Sequence, residues 1–297
     1  MNQPGAGMKR AGPCAGPDRW MAGRAALGTG LPCLYHYRMI RECFTYLTTP
    51  CPQPYRRMGY LRECVGIESR YRRNRKAWAS HLEESRKLML EAAGQCNARD
   101  TVLIFGAGLL HDIPLADLLG MFRRVILADL LFMTPARRAA RREERIELVT
   151  LDVTASLTSL ADGNTALTQP AAYLDDPSIS LVISASILSQ LSVVPNLYLE
   201  KRFQQSEAES EQLGQALVRA HLDYLGAFEC PVALVADEAH VIRNRSGVLT
   251  ATVSALHDVP LPSGGRSWDW DICPLGEIDR DHSVMHRVRG YSDFSAT

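Results

Sequence analysis

The chain has 297 residues and balanced charge, with 33 lysines and arginines against 33 aspartates and glutamates. Hydrophobic residues make up 46% and charged residues 22%, the composition of an ordinary globular protein with room for one large domain or a domain and an extension. No run of about 18 apolar residues occurs, so no membrane span is expected. The most apolar segment, 180–194, is interrupted by Ser184, Ser186, Ser189, Gln190 and Ser192.

Lys9 and Arg10 are followed by no continuous apolar stretch, which argues against a secretory leader. The eight cysteines are scattered, form no C-x-x-C pair and have no histidine pair at zinc-ligand spacing beside them. Reduced thiols, a cytoplasmic location and no metal site are expected. Charge is uneven along the chain: residues 1–100 carry 17 basic against 8 acidic side chains, which leaves 16 against 25 for residues 101–297. Either the two parts complement each other, or the basic part attracts an anionic substrate or partner.

Residues 1–33 hold seven glycines and four prolines with little apolar periodicity, and are expected to form a disordered tail. Residues 34–98 read as a helical cap. Its best stretch is Glu68–Ala93, where Trp78, Leu82, Met89 and Ala92 recur at roughly helical intervals. Pro50, Pro52 and Pro54 mark a loop between two helical pieces.

From residue 99 to 297 the texture is that of a Rossmann-like domain. Apolar runs at Thr101–Phe105, Val125–Ala128, Ile146–Leu151, Leu181–Ser184 and Val232–Ala236 are short and hydrophobic on both faces, the pattern of parallel strands covered on each side. Leu213, Leu217, Ala220, Tyr224 and Phe228 mark an amphipathic helix between the last two. The expected class is α/β: a doubly wound, mostly parallel sheet with helices on both faces and a helical N-terminal extension. Residues 283–291 are expected to add antiparallel strand at the edge.

In such a sheet, ligands bind beyond the carboxyl ends of the strands. Gly106 and Gly108 follow the first run and permit a sharp turn and close approach to the backbone. Asp129, 21 residues past Gly108, ends the second run at the distance where a carboxylate meets a ribose diol, and Asp152 ends the third, placed for an adenine amino group. A dinucleotide demands a third small residue where this chain has His111, which argues against NAD. A nucleoside sulfonium without phosphate needs only the glycine turn and the two carboxylates.

Residues 99–240 resemble the class I S-adenosylmethionine-dependent methyltransferases. The resemblance rests on Val102-Leu103-Ile104-Phe105-Gly106-Ala107-Gly108, on Val125-Ile126-Leu127-Ala128-Asp129, on Leu148-Val149-Thr150-Leu151-Asp152-Val153 and on Ser180-Leu181-Val182-Ile183-Ser184. It implies S-adenosylmethionine as cofactor, held by Gly106, Ala107, Gly108, Asp129, Leu130, Asp152, Val153 and Ser184. The chain departs from the family pattern at Ile104, where an acidic residue is common, and at Leu110, where a third glycine is common.

Asp237, Glu238 and His240 follow the fifth run and are the candidate catalytic groups, any of which is able to accept a proton from a nucleophile. The alternative is that Asp237 caps a turn and His240 lies on the surface. Ser184-Ala185-Ser186-Ile187 stands where an N-P-P-Y or D-P-P-Y element would mark methylation of base or glutamine amino groups. Trp268-Asp269-Trp270-Asp271 alternates aromatic and acidic residues and reads as an edge strand packed on the sheet, or else a substrate-lining lid. The cluster from Arg70 to Lys76 reads as a charged helix face, with RNA contact as the rival. The expected function is methyl transfer to a small-molecule acceptor. The alternatives are a non-catalytic Rossmann-like binding or scaffold protein, and an RNA-directed methyltransferase using the basic helix.

Overall fold

The structure is a computed structural model that describes residues 42–295, and the expected tail over 1–33 lies outside them. After a helical segment at 42–48 come α1 (Gln53–Met58), α2 (Tyr60–Arg73) and α3 (Arg75–Gln95). The helical stretch expected over 68–93 is therefore two helices. Asn74 divides them at φ −112° and ψ 25°, and its side-chain amide donates to the Arg70 carbonyl at 3.1 Å. That local bond offers the chain an alternative to continuing the helix.

The remaining order is β1 (Thr101–Phe105), α4 (Leu115–Met121), β2 (Arg124–Asp129), α5 (Thr134–Arg142), β3 (Ile146–Thr150), α6 (Leu157–Ala161) and β4 (Ile179–Ala185). Then follow a 3-10 turn (Leu188–Gln190), α7 (Val193–Phe203), α8 (Glu207–Gly226), β5 (Val232–Asn244), β6 (Leu249–Ser254), β7 (Arg266–Cys273) and β8 (His282–Tyr291). The sheet runs β3-β2-β1-β4-β5-β8-β7, with β6 pairing β5 off this path. β1 to β5 are mutually parallel, and β6, β7 and β8 are antiparallel to their neighbours. The chain reverses direction in the sheet between β3 and β4, which places a switch point beside β1.

Alternation with a period of two sorts the strand side chains into two cores. Val102, Ile104, Val125, Leu127, Leu181, Ile183, Ala233 and Val235 face one layer. Leu103, Phe105, Ile126, Ala128, Val182 and Leu234 face the other, which holds α6, α7 and α8. The N-terminal helix α3 belongs to the first core: Trp78, Leu82, Leu88, Met89, Ala92 and Ala93 are buried there with the strand residues. A smaller cluster, Leu61 and Val65 of α2 with Leu131 and Met133, lays α2 over the loops that leave β1 and β2.

Three further features bear on the site. β5 has 13 residues and runs eight beyond the expected strand. A register shift between Asp237 and Ala239 marks a bulge where its pairing with β4 has ended. Trp268-Asp269-Trp270-Asp271 forms the edge strand β7. A side-chain chain outside the sheet joins Ser192 Oγ to His257 Nε2 at 2.8 Å and His257 Nδ1 to Glu211 Oε2 at 2.7 Å.

Candidate active site

One cavity opens at the carboxyl ends of the parallel strands, and its residues come from α2, α3, the strand-end loops and the β5–β8–β7 ribbon. Gly106 turns the chain out of β1 at φ 81°, and a Cβ there would lie 2.1 Å from the Ile187 side chain and 2.5 Å from the Ala185 carbonyl oxygen. Gly108 is equally confined: a Cβ would meet the Leu131 carbonyl oxygen at 2.5 Å and Asp129 Oδ2 at 2.9 Å. Leu110 takes φ 60°, the left-handed backbone a glycine adopts without strain, so the departure from the family pattern leaves its conformation in place. His111 is held against α2, its Nε2 lying 2.9 Å from Glu68 Oε2 and its ring 3.8 Å from that of Tyr71.

Asp129 closes this turn from beneath. Its Oδ2 accepts from the Gly108 amide at 2.8 Å, and its Oδ1 accepts from the Leu130 amide at 2.7 Å. Burial pushes its carboxyl up to about 6, even though the amides of Gly108, Leu130 and Leu131 pull the other way. Desolvation therefore outweighs three hydrogen bonds, and the group gains from any further donor that reaches it. Asp152 accepts from the Thr154 amide at 2.9 Å, from the Thr154 hydroxyl at 2.7 Å and from the Leu157 amide at 2.8 Å, which shapes the turn into α6. Tyr60 and Cys64 of α2 cover the same end, and burial raises both groups well above their ordinary values, so the thiol stays protonated.

At the far end, three strands set a row of rings. His240 on β5 pairs across the sheet with His286 on β8, and His286 pairs in turn with Trp270 on β7. The two imidazoles stack at 4.1 Å, and the Trp270 and His286 rings meet edge-on at 5.4 Å. His81 of α3 lies flat on Trp270 at 4.0 Å and 6°, and Trp78 meets Trp270 edge-on at 4.8 Å. All five rings line the cavity.

Asp237 sits in this wall, almost wholly buried. Its Oδ2 accepts from the Ser189 hydroxyl at 2.9 Å and lies 3.2 Å from His286 Nδ1 in a contact not aligned for a hydrogen bond. Burial works to raise this carboxyl, yet the facing imidazoles of His286, His81 and His240 hold it down to about 2, so it is a carboxylate. Burial lowers His81 to about 4 and His240 to about 3, so both rings are neutral.

The sequence candidates fall out as follows. Gly106, Gly108, Asp129, Leu130, Asp152 and Val153 line the cavity. Ala107 is buried in the first core. Ser184 faces the opposite layer, bonded to His221 Nε2 at 3.0 Å, and its neighbours Ala185 and Ser186 face the cavity instead. Asp237 and His240 line the cavity on strand β5, whereas the Glu238 carboxylate, beside the bulge, is held by Arg289 at 2.9 Å. His81, Trp270 and His286 are site residues that the sequence reading did not single out as such. Two arginines of the basic cluster are in ion pairs, Arg72 with Glu68 and Arg73 with Glu277, which reduces the charge left for a nucleic-acid backbone.

The sequence matches no protein-family profile and no curated protein. Among solved structures it is similar to the 1,6-didemethyltoxoflavin-N1-methyltransferase of Burkholderia thailandensis, described with its substrate and S-adenosylhomocysteine bound, at 15% identity and a TM-score of 0.33 over 91% of this chain and 94% of that one. It is also similar to the N-methyltransferase NodS of Bradyrhizobium japonicum WM9, at 14% identity and a TM-score of 0.30 over 70% and 94% of the two chains. A third is a putative type II methyltransferase of Anaeromyxobacter dehalogenans, at 13% identity and a TM-score of 0.31 over 69% and 94%.

Proposed function

We propose that the chain is an S-adenosylmethionine-dependent methyltransferase that works on a small-molecule acceptor in the cytoplasm. The observation that carries this reading is the single cavity joining the glycine turn and the strand-end carboxylates to the ring-lined wall around Asp237. Methyl transfer is an in-line displacement, so donor and acceptor must share one enclosed space.

The residues at the first end fit the cofactor. Gly108 packs against the Leu131 carbonyl and Asp129 only by lacking a Cβ, which brings the turn and the carboxylate together, and the buried Asp129 carboxylate has acceptor capacity left for ribose hydroxyls beyond its amide bonds. Asp152 and the backbone at Val153 would border the adenine, and Ser186 and Ile187 the methionine portion, all four lining the cavity. Arg70, the single lysine or arginine among the described residues lining the cavity, would supply the charge opposite the cofactor carboxylate. When bound, S-adenosylmethionine supplies a methyl group already activated on a sulfonium.

At the other end the protein's task is to exclude water, orient the acceptor and take up its proton. Asp237 and His240 line that end and are the candidate groups for this role. Titration calorimetry tests the reading: S-adenosylhomocysteine binds to the purified protein and NAD does not. Binding of NAD without S-adenosylhomocysteine would reverse it.

A further inference from the structure

The acceptor wall carries a polar code. Trp268 Nε1 lies 3.1 Å from His81 Nδ1, and an indole nitrogen only donates, so Nδ1 accepts. Because the His81 ring is neutral, its proton sits on Nε2, and nothing among the described residues pairs with that N–H. The indole N–H of Trp270 is buried without a partner, a second free donor in the same wall. Beside these stand one unpaired carboxylate oxygen, Asp237 Oδ1, and three imidazole nitrogens without hydrogen-bond partners, His240 Nδ1 and both ring nitrogens of His286.

Buried polar atoms without partners are costly, and this many in one wall of a cavity mark a place where a ligand completes the bonding. The ionised Asp237 repels an anionic acceptor, and the two free N–H groups find nothing to bond on a simple ammonium. What satisfies all of them is a molecule that offers N–H and acceptor atoms side by side. The wall is built of aromatic rings packed on one another, Trp270, His81, Trp78 and the stacked imidazoles, and a rigid ring fits such a surface better than a flexible chain.

We infer that the acceptor is an uncharged, planar nitrogen heterocycle with a lactam-type edge, its N–H donating to Asp237 and its carbonyl or ring nitrogen accepting from His81 and Trp270. The inference rests on the methyltransferase reading, since it takes this end of the cavity for the acceptor end.

The probe is lumazine, a fused ring with two lactam edges, titrated into the protein saturated with S-adenosylhomocysteine and followed by calorimetry. Benzoate serves as the anionic planar control and methylammonium as the cationic one. Lumazine binds and the controls do not. His81→Phe keeps the ring but removes the N–H, and Asp237→Asn keeps the shape but removes the charge; each weakens lumazine by about tenfold or more. Both variants retain S-adenosylhomocysteine binding, which shows that they are folded. If S-adenosylhomocysteine binds but lumazine does not, or benzoate binds as well as lumazine, the acceptor assignment is overturned and the cofactor reading stands. If S-adenosylhomocysteine fails to bind, both fall. Unchanged lumazine affinity in two folded variants also overturns the assignment.

Discussion

Gly108 and Asp129 hold each other in place across 21 residues of sequence, the glycine amide donating to the carboxylate at 2.8 Å while a Cβ on the glycine would stand 2.9 Å from the same oxygen. The pair joins the exit of β1 to the exit of β2. Asp129 is therefore a structural anchor for the turn as well as the proposed ribose contact. Asp129→Ala should lower S-adenosylhomocysteine affinity by at least about tenfold and should also lower the melting temperature, because three backbone amides lose their acceptor. Asp129→Asn keeps one good acceptor and turns its NH2 toward one of those amides, so it should fall between the other two. Calorimetry and thermal melts on the three proteins check this; equal affinities would make Asp129 a turn residue only.

Gly108→Ala should lower both stability and cofactor affinity. The added methyl meets a carbonyl oxygen and a carboxylate oxygen, neither of which is the far end of a flexible side chain, so the turn itself must open. The change is read as the calorimetric affinity for S-adenosylhomocysteine set beside the shift in melting temperature. Wild-type affinity would show that the ligand does not approach this backbone.

Cofactor binding should release protons near pH 6. Free Asp129 is held at about 6 by burial, and ribose hydroxyls that donate to it favour the charged form, so its pKa drops on binding. Affinity then rises with pH through that range. Calorimetry in buffers of different ionisation enthalpy measures the released proton, and Asp129→Asn should abolish it.

Stability should fall as the pH is taken from 7 to 5. His81 and His221 at about 4 and His240 at about 3 all lie below their unfolded values, so the stability that they contribute is present above the unfolded pKa and is lost as pH falls toward the folded one. At pH 5 each costs roughly 2 kcal/mol. Asp129 works in the opposite sense: its raised pKa adds stability on acidification through 6, by roughly 1 kcal/mol at pH 5. Three histidines outweigh one aspartate. A melting temperature that held steady or rose at pH 5 would contradict this balance.

Met89→Ala should destabilise the whole domain by about 2–5 kcal/mol, since the side chain is fully buried between α3 and the sheet. A denaturant melt showing a single shifted transition is expected. A separate early transition would mean that α3 unfolds by itself.

The first four strands were legible because each is an apolar run flanked by turn residues, and both cores share them. β5 was not legible past Ala236, because Asp237-Glu238 reads as a strand end and the bulge there hides the continuing alternation. This is why Asp237 and His240 appeared to follow a strand when they belong to one. The facing of Ser184 was not legible for a simpler reason: the terminal residues of β4 alternate in facing, and the side chain one position later is the one at the cavity. His81 and His286 lie 205 positions apart and meet only through β7, which no local pattern encodes. A signal was present all the same. His81 falls within the Trp78–Leu82–Leu88 stripe of α3, and His286 falls between Val284 and Val288 on the buried face of β8. A titratable residue on an otherwise apolar stripe marks a polar spot in the core that lies open to a cavity or a partner.

Ser192, His257 and Glu211 reproduce the connectivity of a hydrolytic triad, with hydroxyl, imidazole and carboxylate linked at 2.8 Å and 2.7 Å. Ser192 is only 2% exposed and lies outside the cavity residues, between two that line it. An acyl group has no path to its oxygen, so nucleophile, base and acid here form a rivet. The rivet fastens the start of α7, the first half of α8 and the connection after β6 at one point. A catalogue of catalytic geometries would file this chain among the esterases on three distances alone; what disqualifies it is the absence of an approach route.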